Sequence, residues 1–206
     1  MRRIETERKV QLERSTKETK VKVELNIDGS GISKIGTSIS FFDHLLDQIA
    51  IHGSFDMKII AQGDPSVDNH HLIEDTAIVL GKVFNKSLGN KLGIARVGYS
   101  FFPMDDTLAF VVVDISSRPF FIKEIVWINP FLGSKEENLI PVDLLEHFLY
   151  TFSINAQITL HVRVLYGQNN HHIAEAIFKA LGKALDNASR IDSKRNQNIP
   201  SSKGLL

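Results

Sequence analysis

No cysteine occurs anywhere in the 206 residues. Disulfides, thiolate catalysis and cysteine-based zinc sites are excluded, which leaves histidine and carboxylate as the strong metal ligands. There is also no excess charge, with 24 Lys plus Arg against 24 Asp plus Glu. The balance gives no global reason to expect nucleic acid or an acidic membrane surface as partner. No apolar run approaches the length needed to cross a bilayer. The start, Met1-Arg2-Arg3-Ile4-Glu5-Thr6-Glu7, lacks the apolar region of a signal peptide and is too acidic for a typical transit peptide. A cytoplasmic protein is the expectation. The 43% apolar and 23% charged content is that of an ordinary globular chain, long enough for one large domain or two small ones.

Histidine is scarce too, but its placement is not random. Of eight histidines, six fall in two matching sets. One set is Asp43-His44 followed by His70-His71-Leu72-Ile73-Glu74; the other is Glu146-His147 followed by His171-His172-Ile173-Ala174-Glu175. A single His-His pair is ordinary surface polarity. Two copies, each preceded at nearly equal distance by an acidic-His pair, are hard to explain that way. His52 and His161 have no repeat partner, and His161 alternates with apolar residues as a structural strand residue would.

The repeat extends beyond the ligands. His70 maps to His171 and Leu80-Gly81-Lys82 maps to Leu181-Gly182-Lys183 at one offset. His44 and His147 lie two residues further apart, so a loop in the second half is shorter by two. A period this long means duplicated half-domains rather than a solenoid. Alternation over 21–27 predicts a strand, apolar spacing over 41–51 a helix, 55–61 a strand closed by Gly63-Asp64-Pro65, and 71–88 a helix. In the second half 108–115 and 120–127 read as strands, 141–154 as a helix, 158–164 as a strand and 174–188 as a helix. The predicted fold is α+β: strand-strand-helix-strand-helix twice, each half a sheet with helices packed on one face. The halves are expected at 1–92 and 93–192, with a polar, turn-rich tail over 193–206 that reads as disordered when taken alone.

At the opening of a helix, residues four apart share a side. His70 and Glu74 can then reach one metal, while His71, turned by about 100°, faces another. His171, Glu175 and His172 repeat the logic. Shared equally, His44, His70, His71, Glu74, His147, His171, His172 and Glu175 give three His and one Glu per metal. Open positions on a six-coordinate ion imply catalysis rather than a closed structural site. This donor set suits Mn, Fe, Co, Ni or Zn better than Mg or Ca. Arg96, Arg118 and the tail Ser201-Ser202-Lys203-Gly204 carry groups suited to phosphate, although no phosphate-loop or dinucleotide fingerprint is present. The residues alone point to a dinuclear metal enzyme. A hydrolase with a bridging hydroxide and a metal-assembled structural protein remain open at this point.

Further segments narrow the choice. Thr16-Lys17-Glu18-Thr19, Phe42-Asp43-His44-Leu45-Leu46-Asp47-Gln48, Asp68-Asn69-His70-His71 and Glu74-Asp75-Thr76 belong together with Gly81, Pro103-Met104-Asp105-Asp106 and Arg118-Pro119. Asn170-His171-His172, Glu175-Ala176, Phe178-Lys179-Ala180 and Pro200-Ser201-Ser202-Lys203-Gly204 complete the set. In these the chain resembles imidazoleglycerol-phosphate dehydratase of histidine biosynthesis, from about Arg8 to Leu206. It departs at Asn69, where Asp is common, and at Ser117, where Gly is common. The length leaves no expectation of the phosphatase domain fused in some relatives.

The resemblance implies two Mn2+ per active site, holding the substrate's ring as imidazolate. It implies that Glu18, Gln48, His52, Arg96, Arg118, Ser201 and Lys203 bind substrate, the last four at its phosphate. It implies a homo-oligomer of 24 subunits with active sites between them, and a tail that closes over the substrate. The reaction it implies expels a hydroxyl beside the ring and removes a proton from the next carbon, through a diazafulvene-like intermediate and an enol. Glu18 is the candidate acid/base, and Glu74 and Glu175 count as catalytic as well as metal-ligating.

Overall fold

The computed structural model describes residues 8–64, 69–133, 139–195 and 198–206. Pro65 of the predicted turn and Asp68 of the motif lie outside them. The first half runs β1 (Lys9–Ser15), β2 (Thr19–Asn26), β3 (Ser33–Gly36), α1 (Ser40–Gly53), β4 (Asp56–Gly63), α2 (Asn69–Ser87). The second runs β5 (Val97–Met104), β6 (Thr107–Asp114), β7 (Phe120–Glu124), the short pair β8 (Phe131–Leu132) and β9 (Ile140–Pro141), then α3 (Val142–Ala156), β10 (Thr159–Tyr166) and α4 (Asn170–Ser189).

Both main sheets have one topology. Their strand orders are β1-β2-β4-β3 and β5-β6-β10-β7. In each, the outer hairpin is antiparallel, and the last pair, β3 with β4 or β7 with β10, is parallel across a helix. The α+β class and the pairing of sheets with helices are as predicted. Among the described residues each main sheet has one strand more than the three expected per half, the second half adds the short β8–β9 pair, and the reasons are physical. β1 and β3 are exposed edges with few apolar residues. β5 inverts the usual pattern: Gly98 and Ser100 face inward, while Val97, Tyr99 and Phe101 face outward. A Cβ on Gly98 would stand 2.1 Å from the Ala184 carbonyl oxygen, so only glycine lets β5 lie against α4.

The two-residue shortening falls between strand and helix. β4 ends at Gly63 and α2 is described from Asn69, whereas 167–169 join β10 to α4. α4 begins at Asn170, four residues before the apolar periodicity does, because the Asn169 side chain accepts a hydrogen bond from the His171 amide at 2.8 Å. The tail is not a free coil over 198–206. The Gly93 amide donates to the Asn198 carbonyl at 3.1 Å, and Arg96 donates to the Pro200 carbonyl at 2.8 Å.

The helices of the two halves pack against each other, α1 on α4 and α2 on α3. A chain of buried rings fills this layer: Phe42 meets Phe148 edge-on at 5.3 Å, and Phe148 stacks on Phe178 at 5.5 Å. Phe84 adjoins Phe152 and Phe55. The repeated glycines sit at these crossings. A Cβ on Gly81 would stand 2.8 Å from the Phe152 carbonyl oxygen, and one on Gly182 2.6 Å from that of Ile49. A Gly182→Val variant is expected to lose about 2–3 kcal/mol by overpacking, read as a fall in Tm of about 5–10 °C. Gly36→Val, where a Cβ meets nothing within 4 Å, should leave Tm nearly unchanged.

Asp56 at the start of β4 accepts hydrogen bonds from the Ser30 amide at 2.8 Å and the Ile32 amide at 3.1 Å. The Ser30 amide is the main cause that holds its carboxyl below the ordinary value, against the opposing effect of burial. A depressed folded-state pKa stabilises the protein above the unfolded pKa and is lost as pH falls through the folded one. Asp56→Asn should therefore be less stable than the native chain at neutral pH, and the gap should close in acid. Denaturant unfolding across pH 2–7 would read this as roughly converging curves.

Candidate metal centre

Among the described residues two groups of three donors form, and each takes members from both halves. His44 of α1 joins His171 and Glu175 of α4; His147 of α3 joins His70 and Glu74 of α2. Within each group the ligand atoms lie within 4.8 Å of one another. Glu175 Oε2 is 3.1 Å from His171 Nε2 and 3.5 Å from His44 Nε2. Glu74 Oε1 is 3.2 Å from His147 Nε2, and the rings of His70 and His147 are 4.8 Å apart.

The acidic neighbours of His44 and His147 do other work. Asp43 accepts from the amide and hydroxyl of Thr37 and pins α1 to the chain before it. Glu146 accepts from Trp127 Nε1 at 2.9 Å and from Lys123. Each carboxylate fixes its helix, and the next residue is thereby aimed at the opposite half. Asp75, beside Glu74, is buried and accepts from Arg14 at 2.7 Å and from Thr19. It anchors the β1–β2 turn that carries Glu18.

His71 and His172 belong to neither group. Helical rotation turns them toward the first hairpin of their own halves. His71 Nδ1 lies 2.8 Å from Glu18 Oε2, and His172 Nδ1 lies 2.5 Å from Asp106 Oδ1. The hydrogen bond from His172 is the main cause holding the Asp106 carboxyl below its ordinary value.

A polar row continues from the His44 group between α1 and α4. Gln48 Nε2 is 3.4 Å from His44 Nδ1 and donates to the His44 carbonyl at 3.2 Å. His52 packs edge-on against Phe102 at 4.8 Å. Burial first, and then the charge of Lys179, push His52 toward the neutral form. The sequence alone does not mark Lys179 as a site residue, although its i,i+4 spacing to Glu175 is legible there. Its Nζ bonds Glu175 Oε1 at 2.7 Å, which leaves Oε2 facing the two imidazoles. Burial opposes ionisation of Glu175, but Lys179 and then His44 outweigh it and hold the carboxyl below its usual value. A cleft of about 1050 Å³ opens over this group, lined by Phe41, His44, Asn129, Phe131, His171 and Glu175. Its wall over 129–131 is held by buried Asn170, whose Nδ2 donates to the Asn129 carbonyl at 2.7 Å and the Phe131 carbonyl at 3.0 Å.

Of the predicted phosphate residues, Arg96 and the tail that carries Ser201 and Lys203 are brought together. Arg96 grips Asp114 through Nε at 2.7 Å and Nη2 at 3.1 Å, and also holds the tail just before Ser201. Lys203 donates its amide to Ser201 Oγ at 3.2 Å. Arg118 follows Ser117, which adopts φ 54° and accepts from Lys91 at 2.6 Å. That left-handed conformation accounts for glycine being at home at position 117.

The comparisons with known proteins agree. The imidazoleglycerol-phosphate dehydratase family model matches residues 37–185. The chain belongs to this family. It is 50% identical over 200 residues to the imidazoleglycerol-phosphate dehydratase of Thermoanaerobacter pseudethanolicus, covering 97% of this chain and 100% of that one. The Roseiflexus enzyme is 45% identical over 199 residues, 97% of this chain and 98% of that one. The crystal structure from Staphylococcus aureus superposes with a TM-score of 0.79 at 33% identity, over 89% of this chain and 99% of that one. That from Pyrococcus furiosus, in complex with (S)-C348, gives 0.78 at 35%, over 95% and 100%. The protein is thus a hydro-lyase of histidine biosynthesis. No helix among the described residues is long and apolar enough to cross a membrane.

The Lys179–Glu175 pair generates a test. Removing one partner of a buried ion pair costs about 3 kcal/mol or more. Lys179→Met should lower the Tm of the metal-free protein, and adding Glu175→Gln should recover much of the loss. A Lys179→Met Tm equal to the native value would show that the pair does not hold Glu175.

Proposed function

We propose that the chain dehydrates D-erythro-imidazole-glycerol phosphate to imidazole-acetol phosphate, using two Mn2+ per active site, in a 24-subunit assembly whose active sites lie between subunits. The observation that carries this reading is the exclusion of His71 and His172 from both groups. Each group offers two imidazoles and one carboxylate, a donor set that fits a divalent first-row ion. Eight ligands shared equally would give each ion one further imidazole. Among the described residues neither His71 nor His172 joins a group of its own chain, so the reading takes the fourth ligand from a second copy. Glu18, beside His71, would then enter a site whose other wall is the Gln48–His52–Lys179 row.

When bound, the ions supply Lewis acidity that stabilises the substrate ring as an anion. The rest falls to the chain's own residues. The proton to be removed has no carbonyl beside it, so its base must be held close. Glu18 projects from a two-stranded turn anchored by Thr19 and Asp75, and it is our candidate for that transfer. Gln48 and His52 orient the substrate's polar chain, with His52 neutral and able to accept. Arg96, Arg118, Ser201 and Lys203 take the phosphate, and the tail closes over it. The half-domain division at 1–92 and 93–192 places one donor group's His and Glu pair in each half.

The manganese-loaded protein, incubated with imidazole-glycerol phosphate, should yield the acetol product, and a chelator should abolish it. Full metal occupancy without product would overturn the substrate assignment. Glu18→Gln should keep its metal and lose about 10²-fold or more in kcat; unchanged turnover would remove Glu18 from the acid/base role. Light scattering should give the mass of the 24-mer.

A further inference from the structure

The repeat contains a correspondence that the ligand count does not use. The β1–β2 turn and the β5–β6 turn are equivalent, since each joins the first hairpin of its sheet. Each places a carboxylate on Nδ1 of the second histidine of its own half, Glu18 on His71 and Asp106 on His172. Each turn is also tied to the loop that leads into the helix carrying that histidine, α2 or α4. In the first half the Glu18 backbone carbonyl does this, accepting from the Asp64 amide at 2.8 Å. In the second half the Asp106 side chain does it, with Oδ2 accepting from the Gln168 amide at 2.8 Å.

The two carboxylates are therefore fixed to different degrees. Asp106 has a short side chain with both oxygens engaged, Oδ2 by Gln168 and Oδ1 by His172 and, at 3.4 Å, by the Thr107 hydroxyl. Glu18 is longer and more exposed, 49% against 34% for the side chain, and its tether uses none of its carboxylate. We propose that Asp106 is a positioning residue, which fixes the ring of His172 with its proton on Nδ1 and turns Nε2 outward as a metal ligand. This rests on the metal reading of His172 above. A carboxylate behind a ligating imidazole sets tautomer and ring direction. The neighbouring Asp105 lies 3.5 Å from Nε2 and is 71% exposed, so it can yield that atom to an ion. The equivalent Glu18 keeps the freedom that a proton-transferring group needs.

The test titrates the full-length protein with Mn2+ alone and reads the free ion by electron paramagnetic resonance. His172→Ala comes first, and should weaken binding at one class of site. If it binds Mn2+ as the native chain does, His172 is not a ligand, and the proposal falls together with that part of the metal reading. If it weakens binding, Asp106→Ala should lose about 10- to 100-fold in affinity at the same class of site. Asp106→Asn keeps one acceptor for Nδ1 but turns an NH2 group toward the Gln168 amide, so it should recover only part of it. Asp106→Ala added to His172→Ala should cost nothing further. Native affinity in Asp106→Ala would overturn the proposal while leaving the metal reading intact. So would a loss that adds in full to that of His172→Ala, because the carboxylate would then act only by holding the turn to Gln168.

Discussion

The contact on which the rest depends is the crossing of helices from different halves. α1 meets α4 and α2 meets α3 so closely that Gly81 and Gly182 cannot carry a Cβ without striking backbone. The buried phenylalanines fill the layer between these crossings. Both donor groups are consequences of that geometry. His44 follows two residues after Phe42, and His147 immediately precedes Phe148, so the residues that pack the seam also place the donors. A protein interior transmits small displacements because it is packed at crystal density. Moving one helix by half an ångström would change the packing and the donor spacing together.

Carboxylates divide into two kinds in this molecule. Those immediately before or after a member of a donor group, Asp43, Glu146 and Asp75, are spent on backbone amides, a hydroxyl, an indole or a cation, and they fix where elements sit. Those four residues after a histidine, Glu74 and Glu175, stand one turn along the same helix face and meet the imidazoles. The same residue type thus does scaffold work or ligand work according to helical phase. This is why an acidic-His pair marks a site without contributing both members to it.

Much of this was legible in the sequence, and the boundary is instructive. Helical spacing alone separates His70 from His71, and the structure finds His70 in a donor group and His71 outside it. The glycine repeat was visible as a match, but only the crossings give it a cause. The β5 strand was not legible, because its buried face is glycine and serine and its exposed face is apolar; burial depends on what α4 brings to it. The ordering of 198–206 was not legible either, since it comes from Gly93 and Arg96, about a hundred positions away in the chain. Lys179 was present in a recognised segment, yet its link to the Glu175 carboxylate needs the burial that makes a free charge costly.

The two halves share a backbone plan and have diverged in charge. Beside Glu74 stands Asp75, which is turned away to Arg14 and Thr19; the matching position beside Glu175 is Ala176. One turn beyond Glu175 stands Lys179, and the matching residue in α2 is Ile78. The Glu175 side chain is 8% exposed and already holds a cation, whereas that of Glu74 is 36% exposed. An ion arriving at the second-half group meets a carboxylate with one oxygen committed, so only Oε2 is offered. An ion at the first-half group meets a carboxylate without that lysine. Duplication supplied two equal sets of donors, and these single positions make them unequal. The two donor groups therefore differ in polarity in a way that the repeat alone does not provide.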